Sequence, residues 1–289
     1  MPLIILIAGI VLLIVLITVV RLDTFITFVI VSLVVGLAEG MNPDALIRSI
    51  ESGIGSTLGS LVMILGFGAM LGKLVADSGA AQRISSSLIH LFGVKNIQWA
   101  MVITGFIVGI PMFYNVGFVI LVPLIFTVAG ATGLPLLYVG IPMLASLSVT
   151  HGFLPPHPSP SAIAVMFKAD IGKTLMYGII LAVPVIILAG PYFARIIRNV
   201  KASPLQEFVN PVILTEEEMP GMAVSIFSAI LPVLLIILST LVKLLALSET
   251  LAGRIISFTG NPAIALLISV LAAMVTLGLC RGKKMKDIA

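Results

Sequence analysis

Between residues 151 and 161 the chain reads His151-Gly-Phe-Leu-Pro155-Pro156-His157-Pro158-Ser159-Pro160-Ser161. Imidazole titrates near pH 6.5 when unperturbed, so His157 inside this run and His151 at its start are candidate proton carriers. Ser159 followed by Pro160 reads as an N-cap with proline at the first helical position, opening a short half-helix through Phe167. A helix that starts inside a membrane presents free N–H groups and the positive end of its dipole, which suit an anion. The plainer alternative is a proline kink whose histidines only satisfy the carbonyls it frees. A second cluster, Gly109-Ile-Pro111-Met-Phe-Tyr114-Asn115-Val-Gly117, has the same character. There Asn115 could cap a half-helix running toward Pro123, and the Tyr114 hydroxyl would need a partner in lipid.

Catalysis and metal binding find little support. Two histidines six residues apart could ligate a metal, but HExxH is absent and no carboxylate lies between Asn96 and Phe167. A serine hydrolase would need a G-x-S-x-G elbow, and none is present. The single cysteine, Cys280, excludes an internal disulfide and reads as a small hydrophobe. The expectation is no enzyme, no metal and no cofactor.

The elements that hold these residues belong in a bilayer. The chain is 60% hydrophobic and 10% charged, against about 25% charged in soluble domains. Apolar segments of about 20 residues cross ~30 Å of hydrocarbon. Simple spans are expected at 3–20, 24–38 (extending toward Glu39), 57–76, 174–194, 221–245 and 262–280. The first has no basic run before it and no cleavage site after it, so it reads as a retained helix. Asn42-Pro43 and Asn261-Pro262 look like N-caps followed by proline at N1. Residues 79–92 carry their charges on one face and read as a surface helix. Lys73 and Asp77 read as interfacial charges, and Glu216-Glu217-Glu218 as a solvated loop. The net charge of +4 lies at the ends of apolar segments, so it is no nucleic-acid footprint.

The middle does not fit simple spans. From Asn96 to Phe167 there is no Asp, Glu, Lys or Arg, and Gly130-Ala-Thr-Gly-Leu-Pro135 splits the stretch into 97–131 and 135–167. Each half would run to roughly 50 Å as one helix, too long for a bilayer. Each carries one of the two breakers described above. Consecutive X-Pro units cannot stay α-helical, and non-helical backbone at membrane depth survives only where protein or a cavity surrounds it. Both halves therefore read as re-entrant hairpins or broken helices. With the N-terminus outside, Arg21, Lys73, Arg83, Lys95, Arg195, Arg198, Lys201, Arg281, Lys283, Lys284 and Lys286 fall inside. Arg48, Lys168, Lys173, Lys243 and Arg254 fall outside, a bias that supports this orientation.

Three stretches, TLGSLVMILGFGAMLGKLVADSG (57–79), GIPMFYNVGFVILVPL (109–124) and THGFLPPHPSPSAIA (150–164), resemble the gluconate permease family of bacterial proton symporters, in the ion-transporter superfamily. The resemblance runs the whole length. It implies an all-α polytopic inner-membrane protein with an inverted-repeat transporter fold. The first repeat would be residues 1–200, with 97–131 the re-entrant hairpin and 135–167 the discontinuous helix, unwound at 151–159. A cytoplasmic loop at 201–220 would follow, then the start of a partial second repeat at 221–289. Relatives of the family are longer, so the second hairpin and second unwound helix are not in this chain. The implied activity is proton-coupled uptake of gluconate or a related sugar acid, with sodium coupling left open. The alternatives are another small carboxylate, such as a hexuronate or D-serine, or a fragment that needs its missing repeat. The implied substrate-binding residues are Tyr114, Asn115, Thr150, His157, Ser159 and Ser161, with His157 and His151 in proton coupling. The implied partners are the sugar acid and the lipid bilayer, with no nucleic acid; a homo-oligomer is left open.

Overall fold

The computed structural model describes residues 2–200, 202 and 214–285, apart from the side chains of Thr57 and Ser60. Among the described residues every regular element is helical. Most of the expected 201–220 loop, with Lys201, lies outside them, as does Lys286. Residues 1–60 and 61–289 form two compact units.

In the first unit, α1 (Pro2–Thr18) packs on α2 (Thr24–Ala38). Asp23 caps α2 by accepting from the Phe25 N–H at 2.9 Å, and Glu39 ends it. α2 coincides with the expected 24–38, while α1 stops two residues before the expected end at 20; at 17 and 15 residues both are shorter than the helices long enough to cross a membrane. The chain then enters α3 (Pro43–Asp77), capped by Asn42 through the Asp44 N–H at 3.0 Å. Its helix starts at the Asn-Pro signal, well before the expected span at 57–76.

The second unit holds the apolar core. It begins with the C-terminal part of α3, where Lys73 and Asp77 form an exposed pair at 2.7 Å. The amphipathic α4 (Ala80–Phe92) buries Ala80, Ala81, Ile84, Ser85 and Leu88 and leaves His90 exposed. After a short turn the chain bends by 109° into α5 (Ile97–Gly109), followed by α6 (Tyr114–Thr132), α7 (Leu136–Phe153) and α8 (Pro158–Met166). Gly133 closes α6 in the left-handed region, φ 69°, at the loop expected there. α5 and α7 approach closely because Gly105 faces the Met143 carbonyl, where a Cβ would lie 2.4 Å from the oxygen.

α9 (Ile171–Ile187) continues through a π-turn at Leu188–Tyr192, where Pro191 withholds an N–H, into α10 (Phe193–Ile196). α11 (Met222–Leu244) packs on α4, α9, α12 (Leu251–Thr259) and α13 (Pro262–Ala273). Asn261 caps α13 ahead of Pro262, as its sequence indicates. Cys280, expected to be a small hydrophobe, is exposed at the end of the last turns. Among the described residues six helical segments are long and apolar enough to cross a membrane: Pro43–Asp77, Tyr114–Thr132, Leu136–Met166, Ile171–Ile196, Met222–Leu244 and Pro262–Arg281.

Polar bonds sort the charges into two groups. Arg83 donates to the Pro220 carbonyl at 2.9 Å and also to that of Glu216, while Arg281 donates to the Glu217 carbonyl at 2.9 Å. Lys243 pairs with Asp170 at 3.0 Å, and Arg254 with Glu249 at 3.3 Å. Among the described residues the two groups share no bonding partner.

Candidate functional site

Both expected breaks are present. Residues 110–113 separate α5 from α6, and residues 154–157 separate α7 from α8. Their causes are Pro111 and the Pro155-Pro156 pair, which cannot supply the N–H groups a continuing helix needs. The second break is narrower than the expected 151–159, because α7 stays helical through His151 to Phe153.

The caps differ from the sequence reading. α8 begins at Pro158 with His157 as its N-cap residue, so Ser159 is not the cap. The first proline of the run already has the φ and the missing N–H that suit N1. The prolines also limit what α8 offers an anion. Pro158 and Pro160 have no N–H, and the Ser161 N–H is used by the His157 carbonyl at 3.1 Å. Only Ser159 retains a free backbone N–H in this first turn. α6 is capped by Phe113 without a side-chain bond, which puts Asn115 one residue inside the helix rather than at its cap. No proline interrupts its first turn, so the N–H groups of Tyr114, Asn115 and Val116 all remain free ahead of the Gly117 bond to Phe113.

These two starts meet. Leu65, Phe113, Tyr114, Asn115, His151 and Pro158 line one cavity of about 300 Å³. Behind it the histidines are linked. His151 Nδ1 lies 3.2 Å from His157 Nδ1, and His157 Nε2 lies 2.9 Å from the Gly109 carbonyl. A carbonyl can only accept, so His157 Nε2 carries a hydrogen, and in the neutral ring its Nδ1 is a lone pair. His151 Nδ1 must then donate to it. The free lone pair of the neutral histidine pair is therefore His151 Nε2, on the residue that lines the cavity. Phe113 packs edge-on against His151, with centroids 6.2 Å apart, and holds the ring in place.

Thr150, Ser159 and Ser161 are not among the residues that line this cavity. Thr150 is fully buried and donates to the Ser146 carbonyl at 2.8 Å, packing against Gly109. Ser159 is exposed, and Ser161 is fully buried with its hydroxyl unpartnered. The Tyr114 ring packs near Phe118, with centroids 6.0 Å apart. Sequence reasoning missed Leu65 and Phe113, whose apolar types carry no signal of a site. It also missed the Gly109 carbonyl, although a helix ending just before Pro111 must leave carbonyls free.

Apolar helices long enough to cross a membrane, with α6 and the short α8 both starting at one cavity beside a histidine pair, define a polytopic membrane protein built like a permease. The chain belongs to the GntP family permease family, which it matches over residues 1–289. It is 50% identical over 288 residues to the Gnt-II system L-idonate transporter of Escherichia coli (strain K12), covering 100% of this chain and 66% of that protein. A high-affinity gluconate transporter of the same organism is also 50% identical over 288 residues, with the same coverage. The gluconate permease of Bacillus subtilis (strain 168) is 45% identical over 298 residues, again covering 100% of this chain and 66% of that protein. The chain thus spans 66% of the length of these relatives. No solved structure matches it. Family and helices together make it a multi-pass protein of the bacterial inner membrane, in a family of permeases rather than enzymes.

Proposed function

We propose that the chain serves proton-coupled uptake of gluconate or a related sugar acid such as L-idonate, the substrates for which its relatives are named. The observation that carries this reading is the cavity of about 300 Å³ at which α6 and α8 both start, with His151 in its wall. The substrate carboxylate is held at the start of α6, by three free N–H groups and Asn115. The proton binds His151 Nε2. Protonation there leaves the bond to His157 intact, so His157 positions the carrier while His151 takes up the charge. The groups facing His151 are His157 of the α8 cap and Phe113, Tyr114 and Asn115 of α6 and its cap. The same reading takes residues 1–200 as the first repeat, with 97–131 a re-entrant hairpin and 135–167 the discontinuous helix, and 221–289 as the start of an inverted second repeat. The sorting of bonded charges supports the N-terminus outside, with Arg83 and Arg281 in the cytoplasm. The test is uptake of labelled gluconate by cells that lack other gluconate transporters. Uptake that collapses with a protonophore is expected; uptake indifferent to it overturns proton coupling.

A further inference from the structure

A second polar cavity, about 250 Å³, opens where the link after α8 enters α9, beside the last turns of α11 and the start of α13. Asp170 caps α9 through the Lys173 N–H at 2.9 Å and pairs with Lys243 Nζ at 3.0 Å. Burial pushes the Asp170 carboxyl up. The Lys173 N–H and the Lys243 ammonium outweigh this and hold it below its ordinary 3.8, so it is an acceptor at neutral pH. Ser239 is only 3% exposed and makes no side-chain hydrogen bond among the described residues. Ser257 Oγ is buried with no partner. Asn261 uses its Oδ1 on the Ala263 N–H, leaving its amide N–H groups unused. Gly260 brings the α12–α13 link directly against α11, where a Cβ would lie 2.1 Å from that of Ser239.

Buried hydroxyls are destabilising unless something bonds them, and two of them here face one cavity that also holds a cation and an anion. We propose that this cavity is a second binding site for a small polyhydroxylated carboxylate, separate from the helix break. Lys243 takes the carboxylate, Asp170 accepts from one hydroxyl, and Ser239, Ser257 and Asn261 bond the others. A neutral polyol forgoes the ammonium, and an inorganic anion leaves the inner hydroxyls without partners. The nine residues of α8 set this cavity about 13 Å from His157. That distance leaves room for a guest at each place, and the outward charges put this one on the side where substrate arrives. The inference rests on the sugar-acid reading above.

The experiment uses the protein in lipid nanodiscs, where both faces are open to reagent, with Cys280→Ser removing the native thiol and Ser257→Cys supplying a new one. Gluconate is expected to slow maleimide labelling of that cysteine by about fivefold or more, while sorbitol and inorganic phosphate do not. Lys243→Gln removes the protection, Lys243→Arg keeps it, and His151→Ala leaves it unchanged. Labelling unaffected by gluconate, equal protection by phosphate, or a cysteine that never reacts each overturns the proposal. Gluconate uptake by the unaltered protein is scored separately. Uptake without protection refutes only this second site, and absence of uptake refutes the transport reading.

Discussion

Replacing each histidine of the pair by alanine should separate support from coupling. His157 is 4% exposed and holds two groups, the Gly109 carbonyl at 2.9 Å and His151 Nδ1 at 3.2 Å. His157→Ala leaves both without partners. A buried orphan costs about 1–3 kcal/mol, so the two together cost roughly 2–6 kcal/mol, with the lower half favoured because His151 is only part-buried. His151→Ala removes one bond, leaves the His157–Gly109 contact in place, and should cost about 1 kcal/mol. Transport should show the opposite order in kind. His151→Ala should lose accumulation driven by a proton gradient and keep gluconate counterflow, because the N–H groups of α6 remain. His157→Gln, which can still donate to Gly109, should recover most of the stability. Thermal unfolding in detergent and paired accumulation and counterflow measurements in proteoliposomes read both effects. If His157→Ala unfolds with the native protein, or His151→Ala still accumulates gluconate, the assignment of roles is wrong.

Other consequences can be checked in parallel. Asn115→Ala should raise the half-saturation for gluconate about tenfold or more, from loss of a charge-assisted bond of roughly 1.5–3 kcal/mol, without impairing insertion. Ser159→Ala should do less, since Ser159 is not among the residues lining the cavity. A cysteine at Glu217 should be shielded from an impermeant thiol reagent applied outside cells and one at Ser52 should react; the reverse pattern would invert the orientation. Gly105→Ala should sharply lower thermal stability, because its Cβ would lie 2.4 Å from the Met143 carbonyl, whereas Gly130→Ala meets nothing within 4 Å and should be silent. Asp170 is held below its ordinary 3.8, so its charge contributes stability above that pH. This contribution disappears as pH falls through the lower folded value, and the unfolding difference between Asp170→Asn and the native chain should shrink over that window.

Much of this protein is written in local sequence. Composition alone places it in a bilayer, since no soluble fold could cover so much apolar surface. The two breaks are equally local: a proline removes an N–H wherever it stands, so 110–113 and 154–157 could be located to within a few residues. The Asn42-Pro43 and Asn261-Pro262 starts hold for the same reason. What sequence could not fix were choices between neighbouring signals and contacts between distant ones. Pro158 and Pro160 are both good first-turn residues, and the helix took the earlier, which moved the cap from Ser159 to His157. Thr150 and Asn115 look alike as polar residues in an apolar run. Packing turned the first toward Ser146 and Gly109 and the second toward the cavity. The histidines' roles depend most on tertiary structure, because a tautomer is set by what each nitrogen faces. Only the approach of α5, which brings the Gly109 carbonyl to a residue 48 positions away, fixes the hydrogen on His157 Nε2 and leaves the free lone pair on His151.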